Sequence, residues 1–376
     1  MTGPAGQTNG APLSEFVTID GSFGEGGGQI VRVSLALAAV TSRPLTIKNI
    51  RARRAKPGLA AQHLTAVRAI AAICGAEVAG DSIGSMELRF VPGRAPAAGS
   101  YLFDVGEARI GGSAGATALI AQAILLPLAL ADGRSEAVLR GGTHVPWSPP
   151  FDYLRDVWLF VLARMGVEAS LELAQFGFYP AGRGEVRLAV VGMAPSNSGR
   201  ARRALRPLSA SERGPIRRVF GRAIAANLPS HIAQRMSDRA RTQLTGAGIE
   251  SAITPLRVSA ACPGAGLFLT LECEAIRAGF SELGKPGKPA EAVADDAVAE
   301  VLAYRNAGAA LERHLADQVV LPAALASGVS EFTVEKVTRH LTTCAAVVEQ
   351  FGLATVEIEG AEDAPGRVKI TPTGAQ

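Results

Sequence analysis

The feature that most constrains this chain is an internal repeat, in which a strand, a glycine-rich turn and an apolar helix recur in the same order. The first copy opens with FVTID, GSFGEGGG and QIVRVSLALAAV, and a further strand, helix and strand complete it. A second copy begins at YLFDVG, and a third, less complete at its start, begins at ERHLADQ. Because the helices are apolar nearly all round, we predict that they are buried against sheets and neighbouring copies.

The repeat is interrupted between about residues 193 and 304, where the pattern changes. This stretch opens with a segment rich in Pro, Ser and Arg, which is typical of a boundary loop. Strand and helix periods follow, and they predict a smaller inserted α/β domain at 193–304. We therefore predict the α/β (α+β) class, with a large domain of three repeated βα units at 16–192 and 305–376. The Gly-, Pro- and polar-rich residues 1–15 predict a disordered tail.

Composition excludes several classes of protein. With 48% hydrophobic and 19% charged residues, the chain can bury a large core and form two or more domains. The net charge of +4 permits a polyanionic partner without requiring one. The four cysteines form no CxxC pair, which indicates reduced thiols, no zinc site and a cytoplasmic protein. The start has no secretion signal, and Gln122 and Pro127 interrupt the apolar stretch ATALIAQAILLPLALA, so we expect no membrane association.

The loop GSFGEGGGQ places five glycines between a predicted strand and the start of a helix. Backbone N–H groups in such a loop can approach a phosphate closely, and the helix dipole assists them. The GK[ST] ending of a Walker loop is missing, and an ordinary glycine-rich turn is an equally good explanation from the loop alone. Glu25, in the middle of the loop, either favours the helix N-terminus by its charge or holds a divalent cation beside a triphosphate.

A basic segment, IRARRAKPGLAAQH, follows the second strand. It carries Arg51, Arg54 and Gln62, and Arg32 comes from the preceding helix. The guanidinium fork of arginine suits phosphate oxygens. Taken alone, however, a run of charges is more often solvated surface, so the segment by itself does not establish a phosphate site.

Two helices carry polar residues at helical spacing. In HLADQ, the residues His314, Asp317 and Gln318 share one face of an otherwise apolar helix, which indicates either a ligand or an internal hydrogen-bond network. His340 opens the helix RHLTTCAAVVEQF and belongs to its inward-facing stripe with Cys344. A core or capping histidine is the usual explanation for that placement, and a catalytic histidine is the alternative.

Seven ordered strings resemble the RNA 3'-terminal phosphate cyclase family, and they extend from about residue 16 to the C-terminus. They are IDGSFGEGGGQIVR, IRARRAKPGLAAQHL, GGSAGATALIAQ, GGTHVPWSPPFDYL, GFYPAGRGEV, HLADQVVLP and HLTTCAAVVEQF. The resemblance implies a large domain of three βα units like the C-terminal domain of translation initiation factor 3, with a small inserted α/β domain. That organisation agrees with the repeat and the interruption described above.

The resemblance also implies a reaction. Members of this family use ATP to adenylylate a histidine, and the 3'-phosphate of an RNA then takes the AMP to give RNA(3')pp(5')A. The neighbouring 2'-hydroxyl displaces the AMP, which leaves a 2',3'-cyclic phosphate. The resemblance therefore implies ATP, a divalent cation (Mg²⁺ or Mn²⁺) and an RNA with a 3'-phosphate end as the ligands of this chain.

The resemblance assigns roles to residues at matching positions. It makes His340 the adenylylated histidine and Glu25 the residue that assists the divalent metal at the triphosphate. It implies that adenine stacks between His314 and Pro149, although some relatives have an aromatic residue in place of this histidine, and Arg53 replaces a common glycine. The whole implied ATP pocket is Gln122, Pro149, His314, Leu315, Ala316, Asp317 and Gln318. The positions implied in phosphate or RNA-end binding are Arg32, Arg51, Arg54 and Gln62.

Two other hypotheses compete with this one. A non-catalytic member of the same fold that binds RNA during ribosome assembly would lack the catalytic histidine, so the presence of His340 disfavours it. An enolpyruvyl transferase is built from related repeats, but the HLADQ and HLTT strings point away from that class. Because no aromatic-rich platform is apparent, we expect RNA contacts mainly with phosphate and sugar. The oligomeric state is left open.

Overall fold

Four four-stranded sheets, with helices between their strands, make up the part of the chain that the computed structural model describes, residues 16–108, 113–193 and 204–374. The tail expected at 1–15 and most of the Arg-rich start of the insertion lie outside these residues. The α/β class is confirmed, since helices and strands alternate through all the described ranges. Within these ranges, no helix combines the length and apolarity that crossing a bilayer requires.

The first unit is a sheet with two helical crossovers. Its strand order is β1-β2-β4-β3, with β1 parallel to β2 and the other pairs antiparallel. The glycine loop follows β1, as predicted, and leads directly into the first helix. The elements are β1 (Val17–Asp20), α1 (Gly28–Thr41), β2 (Leu45–Lys48), α2 (Ala61–Cys74), β3 (Glu77–Ala79) and β4 (Leu88–Val91).

The second unit repeats this connectivity. Its strand order is β5-β6-β8-β7, again with one parallel pair followed by two antiparallel pairs. Its second crossover is one continuous helical stretch with a π-helical segment in the middle. The elements are β5 (Ser100–Asp104), α3 (Thr117–Leu130), β6 (Arg134–Gly141), α4 (Phe151–Tyr153), the π-helical segment Leu154–Trp158, α5 (Leu159–Arg164), β7 (Glu168–Gln175) and β8 (Gly184–Val191).

A short strand, β9 (Ser209–Ala210), precedes a sheet of different order, β11-β10-β12-β13. This sheet and its two helices form the inserted unit. Because β9 pairs in parallel with a strand of the third unit, the insertion falls inside that unit, after its first strand. The sequence pattern does not reveal β9, since two residues are too few to show an alternation. The inserted elements are β10 (Ile216–Ala226), α6 (Ser230–Gly246), β11 (Ser251–Val258), β12 (Gly264–Cys273), β13 (Arg277–Leu283) and α7 (Ala290–Ala307).

The third unit completes the set. Read from β9, its strand order is β9-β14-β16-β15, which is the connectivity of the first two units. This shared order is an observation about strand pairing, whereas the likeness to translation initiation factor 3 stays a prediction. The remaining elements are α8 (Arg313–Ala324), β14 (Ser330–Val334), α9 (Arg339–Gln350), β15 (Ala354–Glu359) and β16 (Gly366–Pro372).

Helix α1 brings the three units together. It packs against α2 of its own unit, α3 of the second unit and α9 of the third. Leu35 and Leu37 of α1 are fully buried and belong to one cluster of apolar side chains that extends through all three units and the insertion. The N-terminal end of α1, with the glycine loop before it, therefore lies where elements of different units meet.

The inserted unit is joined to the second unit through a buried polar network. The ring of His144 lies 5.4 Å from both Phe176 and Phe178, and its Nε2 is 3.0 Å from Asp152 Oδ2. Arg222 of β10 donates from Nε to Asp152 Oδ1 at 2.6 Å. Burial lowers the pKa of His144, so the ring is neutral, and Asp152 is the group that compensates the charge of Arg222.

We expect Asp152→Ala to lower the free energy of unfolding by about 3–5 kcal/mol, because it leaves the Arg222 guanidinium partly buried without its carboxylate. Urea denaturation followed by circular dichroism measures the change. The matched control is Asp295→Ala, which breaks the pair with Arg239, whose two side chains are 41% and 44% exposed. Because that pair is exposed, the substitution should cost much less than Asp152→Ala. Equal losses in the two variants would show that the network does not hold the units together.

Candidate active site

The glycine loop is held from two sides by helices of the first and third units. Gly24 has φ +55°, and a Cβ there would lie 2.2 Å from Thr343 Oγ1 of α9. A Cβ on Gly28 would lie 2.0 Å from His63 Nε2 of α2. The backbone N–H of Glu25 also donates to Thr343 Oγ1 at 3.1 Å. Glycine is therefore required at both positions because other helices approach the loop backbone directly.

His340 lies at the N-terminal end of α9, beside this loop. Thr338 caps the helix, with its Oγ1 accepting from the N–H of Leu341 at 3.2 Å. His340 itself is exposed, while Cys344 and Val347, further along the same stripe, are buried. The stripe predicted from the sequence is therefore buried except at its first residue, and the histidine is accessible to a ligand.

Gln29, the second residue of α1, links His340 of α9 to Asp317 of α8. Its Oε1 contacts His340 Nδ1. Its Nε2 donates to Asp317 Oδ2 at 2.5 Å and to Cys344 Sγ at 3.0 Å. Because an amide oxygen only accepts, Nδ1 must carry the ring proton, and Nε2 of His340 is left with its lone pair. This is the tautomer that a nucleophilic histidine needs.

The electrostatic surroundings keep this imidazole neutral. The pKa of His340 is lowered to about 4, first by partial burial of the ring and then by nearby positive charges. Those charges are Arg32, His314 and Arg54. Since each of them disfavours a second proton on the ring, His340 is unprotonated throughout the neutral range.

Asp317 has the opposite shift. Burial raises its pKa to about 8, the charge of Glu312 adds to the effect, and Arg32 opposes it. A protonated carboxyl group still has an acceptor oxygen, so the Gln29 amide N–H remains paired at neutral pH. Arg32 is also desolvated, which lowers its pKa to about 10 without removing its charge.

The start of α8 is fixed to the second unit by a buried glutamate. Glu312 accepts from the N–H of His314 at 2.6 Å and from that of Leu315 at 2.7 Å, which caps the helix. Tyr153 of α4 donates its hydroxyl proton to Glu312 Oε1 at 2.5 Å. Burial raises the pKa of Glu312. Neither this cap nor Gln29 was singled out by the sequence pattern, although Gln29 directly follows the three glycines.

The residues expected to form the nucleotide pocket differ in what they offer. Nε2 of Gln122 and Oε1 of Gln318 are buried and lack a hydrogen-bond partner among the described residues. A ligand that carries both a hydrogen-bond acceptor and a donor could satisfy these two atoms. His314 is exposed and Pro149 is half-buried. The side chains of Leu315 and Ala316 are buried in the apolar core, so only the backbone of these two residues is available to a ligand.

The expected phosphate and metal residues lie around the glycine loop. Arg54 forms an ion pair with Glu25 and also donates to its backbone oxygen at 3.2 Å. Arg51 donates to the Gly58 oxygen at 2.7 Å, and Gln62 lies on α2 beside the loop that leads into α3. No group of three or more His, Cys, Asp or Glu side chains suited to a metal occurs within the described ranges. One carboxylate is nevertheless sufficient for Mg²⁺ when substrate phosphates supply further ligands.

Comparison with known proteins gives one family. A family model described as RNA 3'-terminal phosphate cyclase matches residues 23–358. A Methylococcus capsulatus protein named RNA 3'-terminal phosphate cyclase is 57% identical over 355 residues, which are 94% of this chain and 96% of the relative. A relative of the same name from Nostoc punctiforme is 50% identical over 92% of this chain and 97% of its own length. One from Pyrococcus abyssi is 38% identical over 94% and 98%.

Among solved structures, an enolpyruvyl transferase, NikO from Streptomyces tendae, is also matched. It is 12% identical with a TM-score of 0.24, and the match covers 96% of this chain and 66% of that chain. A score this low carries no argument about fold or activity. The enolpyruvyl transferase hypothesis therefore gains nothing from it, while the curated relatives share their name with the family model.

Proposed function

Because the chain belongs to the RNA 3'-terminal phosphate cyclase family, we propose that it uses ATP to convert the 3'-phosphate end of an RNA into a 2',3'-cyclic phosphate. The proposed route passes through a covalent histidine–AMP on His340 and through RNA(3')pp(5')A. The observation that carries the proposal is the contact of His340 Nδ1 with Gln29 Oε1, which leaves an unprotonated Nε2 at an accessible position beside the glycine loop.

In the first step, His340 Nε2 attacks the α-phosphorus of ATP, and the bond from this phosphorus to the β-bridging oxygen breaks. The ring becomes cationic as the nitrogen–phosphorus bond forms. Its Nδ1–H then donates more strongly to Gln29 Oε1, whose amide group passes the polarisation on to Asp317. Gln29 therefore holds the ring in one orientation and stabilises the charge that develops on it.

The charge of the departing pyrophosphate is neutralised by this chain's own groups. Backbone N–H groups at the start of α1 carry no side-chain cap and lie in the glycine loop. Arg32 of that helix and Arg54, which pairs with Glu25 in the loop, supply guanidinium groups. When bound at Glu25, a divalent cation would add further positive charge at the triphosphate oxygens. For this, Arg54 would move from the Glu25 carboxylate to a phosphate.

Adenine is proposed to lie between the second and third units. Gln122 Nε2 would donate to a ring nitrogen, and Gln318 Oε1 would accept from the exocyclic amine, which satisfies both unpartnered atoms. His314 and Pro149 would flank the ring. The exposed position of His314 at the start of α8 is compatible with this role.

The second and third steps take place on the RNA. An oxygen of the terminal 3'-phosphate attacks the phosphorus on His340, the nitrogen–phosphorus bond breaks, and the free imidazole returns. The 2'-hydroxyl of the same ribose then attacks the 3'-phosphorus, and AMP leaves with the bridging oxygen. Because this last step is intramolecular, orientation and charge neutralisation can supply most of the acceleration.

The proposed partner, cellular location and fold likeness follow from the same family. RNA with a 3'-phosphate end is the proposed partner, and the free state of all four cysteines supports a reducing, cytoplasmic location. The common strand order of the three units supports the proposed likeness to the C-terminal domain of translation initiation factor 3.

The activity is tested by incubating the protein with ATP, a divalent cation and an RNA that ends in a 3'-phosphate. The expected products are an RNA resistant to phosphatase, with a cyclic end, together with AMP and pyrophosphate. The same RNA with a 3'-hydroxyl end is the control and should stay unchanged. Failure of the 3'-phosphate RNA to cyclise while ATP is bound would refute the proposed function.

The protonation state of His340 gives a pH prediction. Since its pKa is lowered to about 4, its neutral Nδ1–H form should persist as the pH falls through the ordinary value of 6.5, and the cation should form only near pH 4. Nuclear magnetic resonance of ¹⁵N-labelled histidine measures both the tautomer and the midpoint, with the His340 signals assigned from the spectrum of His340→Ala. A midpoint near 6.5, or a proton on Nε2 at pH 7, would contradict the site described here.

A further inference from the structure

The loop between β6 and α4 carries an aromatic side chain that is almost fully exposed to solvent. Trp147 is 99% exposed and has φ +65°, a left-handed conformation that is uncommon for a bulky residue. The loop is stiffened by Pro146 and Pro149, and it is closed at its base by a hydrogen bond from the Phe151 N–H to the Thr143 oxygen at 3.0 Å. A fully exposed indole held on a rigid, strained backbone needs a reason outside the packing of the fold.

A second exposed aromatic residue lies on the adjoining loop. His144 and Phe178 form a parallel bridge, so the loop that carries Trp147 and the loop that carries Tyr179 begin at adjacent positions. Tyr179 is 66% exposed. Its loop is closed by the Gly182 N–H, which donates to the Phe178 oxygen at 2.7 Å. We call Trp147 and Tyr179 the aromatic surface.

A cavity of about 770 Å³ lies beside the Tyr179 loop, whose residues Pro180 and Ala181 line it. Arg183, from that loop, lines it together with Arg140 and Ser113. The Ser113 edge of the cavity lies near Gln62, because a Cβ on Gly115 would be 3.3 Å from Ser113 Oγ and 3.1 Å from Gln62 Cβ. An RNA strand whose 3' end lies near Gln62 can therefore follow the cavity toward the aromatic surface.

We propose that the aromatic surface stacks on bases of the single-stranded RNA upstream of the reacting 3' end, with Trp147 as its main contact. The identification of the ligand as RNA rests on the proposed function. Single-stranded ends are recognised by stacking of unpaired bases on aromatic rings, which tolerates any sequence. This modifies the expectation from the sequence, in which no stacking platform was apparent.

Two other occupants are less well supported. Pro149 of the same loop is proposed to flank the adenine, but Trp147 itself is too exposed to be a wall of an enclosed adenine pocket. A protein partner would require a contiguous apolar patch, whereas the loop around Trp147 consists of prolines and Ser148. The cavity is also lined by the acidic residues Asp104, Glu107 and Glu185, which reduce its positive charge. We therefore expect stacking, rather than charge, to supply most of the recognition of RNA here.

The chain offers its own probe for this contact. It has two tryptophans, and the second, Trp158, is buried at 4% exposure, so emission that acrylamide quenches comes from Trp147. We expect a ten-nucleotide single-stranded RNA with a 3'-phosphate to quench this emission and to protect it from acrylamide, without ATP. A nucleoside 3'-monophosphate, which cannot reach the aromatic surface, should do neither.

Substitutions then measure the contribution. Trp147→Ala should weaken binding of the ten-nucleotide RNA roughly 5- to 100-fold, with little dependence on salt, and should not change binding of the nucleoside monophosphate. Trp147→Phe should restore most of the affinity. The control is Val329→Ala, an exposed apolar residue of the third unit at 46% exposure, which should bind RNA like the wild type.

RNA-free labelling of the protein by ATP separates this inference from the proposed function. If labelling and cyclisation proceed but RNA leaves Trp147 emission and the affinity of Trp147→Ala unchanged, the aromatic surface does not bind RNA. If the ten-nucleotide RNA adds no protection of Trp147 beyond that given by ATP alone, or Trp147→Ala dissociates an oligomer, the surface has another occupant and the inference is overturned. If labelling fails while RNA still protects Trp147, the stacking contact stands and the proposed reaction does not.

Discussion

Substitution of His340 by alanine is expected to abolish covalent transfer of AMP to the protein while leaving the fold intact. The imidazole is the only group we assign to attack on the α-phosphorus, so no slower route to a phosphoramidate remains. The side chain is exposed at the first turn of α9, and Thr338, not His340, caps that helix. Its removal therefore opens no core cavity and leaves the helix start satisfied.

The measurement is transfer of label from ATP carrying ³²P at the α-position, followed by denaturing electrophoresis under alkaline conditions that preserve a phosphoramidate. His231→Ala, an exposed histidine of the inserted unit, should label like the wild type. His314→Ala should still label but require more ATP, since its proposed role is adenine stacking. A stable adduct in His340→Ala, with unchanged thermal unfolding, would place the nucleophile elsewhere.

Much of the fold follows from local patterns. The glycine loop, the apolar helix after it and the strand-helix order of each copy are visible because strand and helix periods differ and because glycines interrupt them. The first strand of the third unit is not visible, since β9 has two residues and is separated from its partner β14 by the whole insertion. Its pairing is a tertiary event that no local window contains.

The candidate site could be predicted in its residues but not in its geometry. From spacing alone, His340 was more readily explained as a core histidine, and only the family resemblance selected it as a nucleophile. What the sequence could not supply is the contact with Gln29, which joins two helices from opposite ends of the chain. The same holds for the aromatic surface, because the loops of Trp147 and Tyr179 become neighbours only through long-range backbone pairing at His144 and Phe178.

The three units contribute different chemistry to one site despite their common connectivity. The glycine loop and its flanking arginines come from the first unit, Gln122 and the Trp147 loop from the second, and the carboxylate and histidine helices from the third. Helix α1 packs against α3 and α9, and the side chain of Gln29 at its N-terminal end contacts both helices of the third unit, through Asp317 and His340. Gln29 occupies that end, and its substitution is therefore the sharpest test of the assembled site.

Gln29→Leu is expected to slow histidine labelling roughly 100-fold or more with little change in the affinity for ATP. Leucine keeps the approximate size of the side chain but neither accepts from His340 Nδ1 nor donates to Asp317, so the ring loses both its orientation and its preferred tautomer. Single-turnover labelling at saturating ATP measures the rate, and a matched titration of ATP measures binding. The control is Ser34→Ala on the same helix, because Ser34 is fully buried and its Oγ has no hydrogen-bond partner among the described residues.

Gln29→Glu separates orientation from charge. A carboxylate at this position still accepts the Nδ1 proton, so the nucleophilic tautomer is kept, but its negative charge favours the imidazolium and raises the pKa of His340 above about 4. Labelling by this variant should therefore fall away at a higher pH than in the wild type and recover as the pH rises. A Gln29→Leu variant that labels at the wild-type rate, or a Gln29→Glu variant whose acid limb does not move, would show that Gln29 merely packs against the histidine and that the tautomer is set by another group.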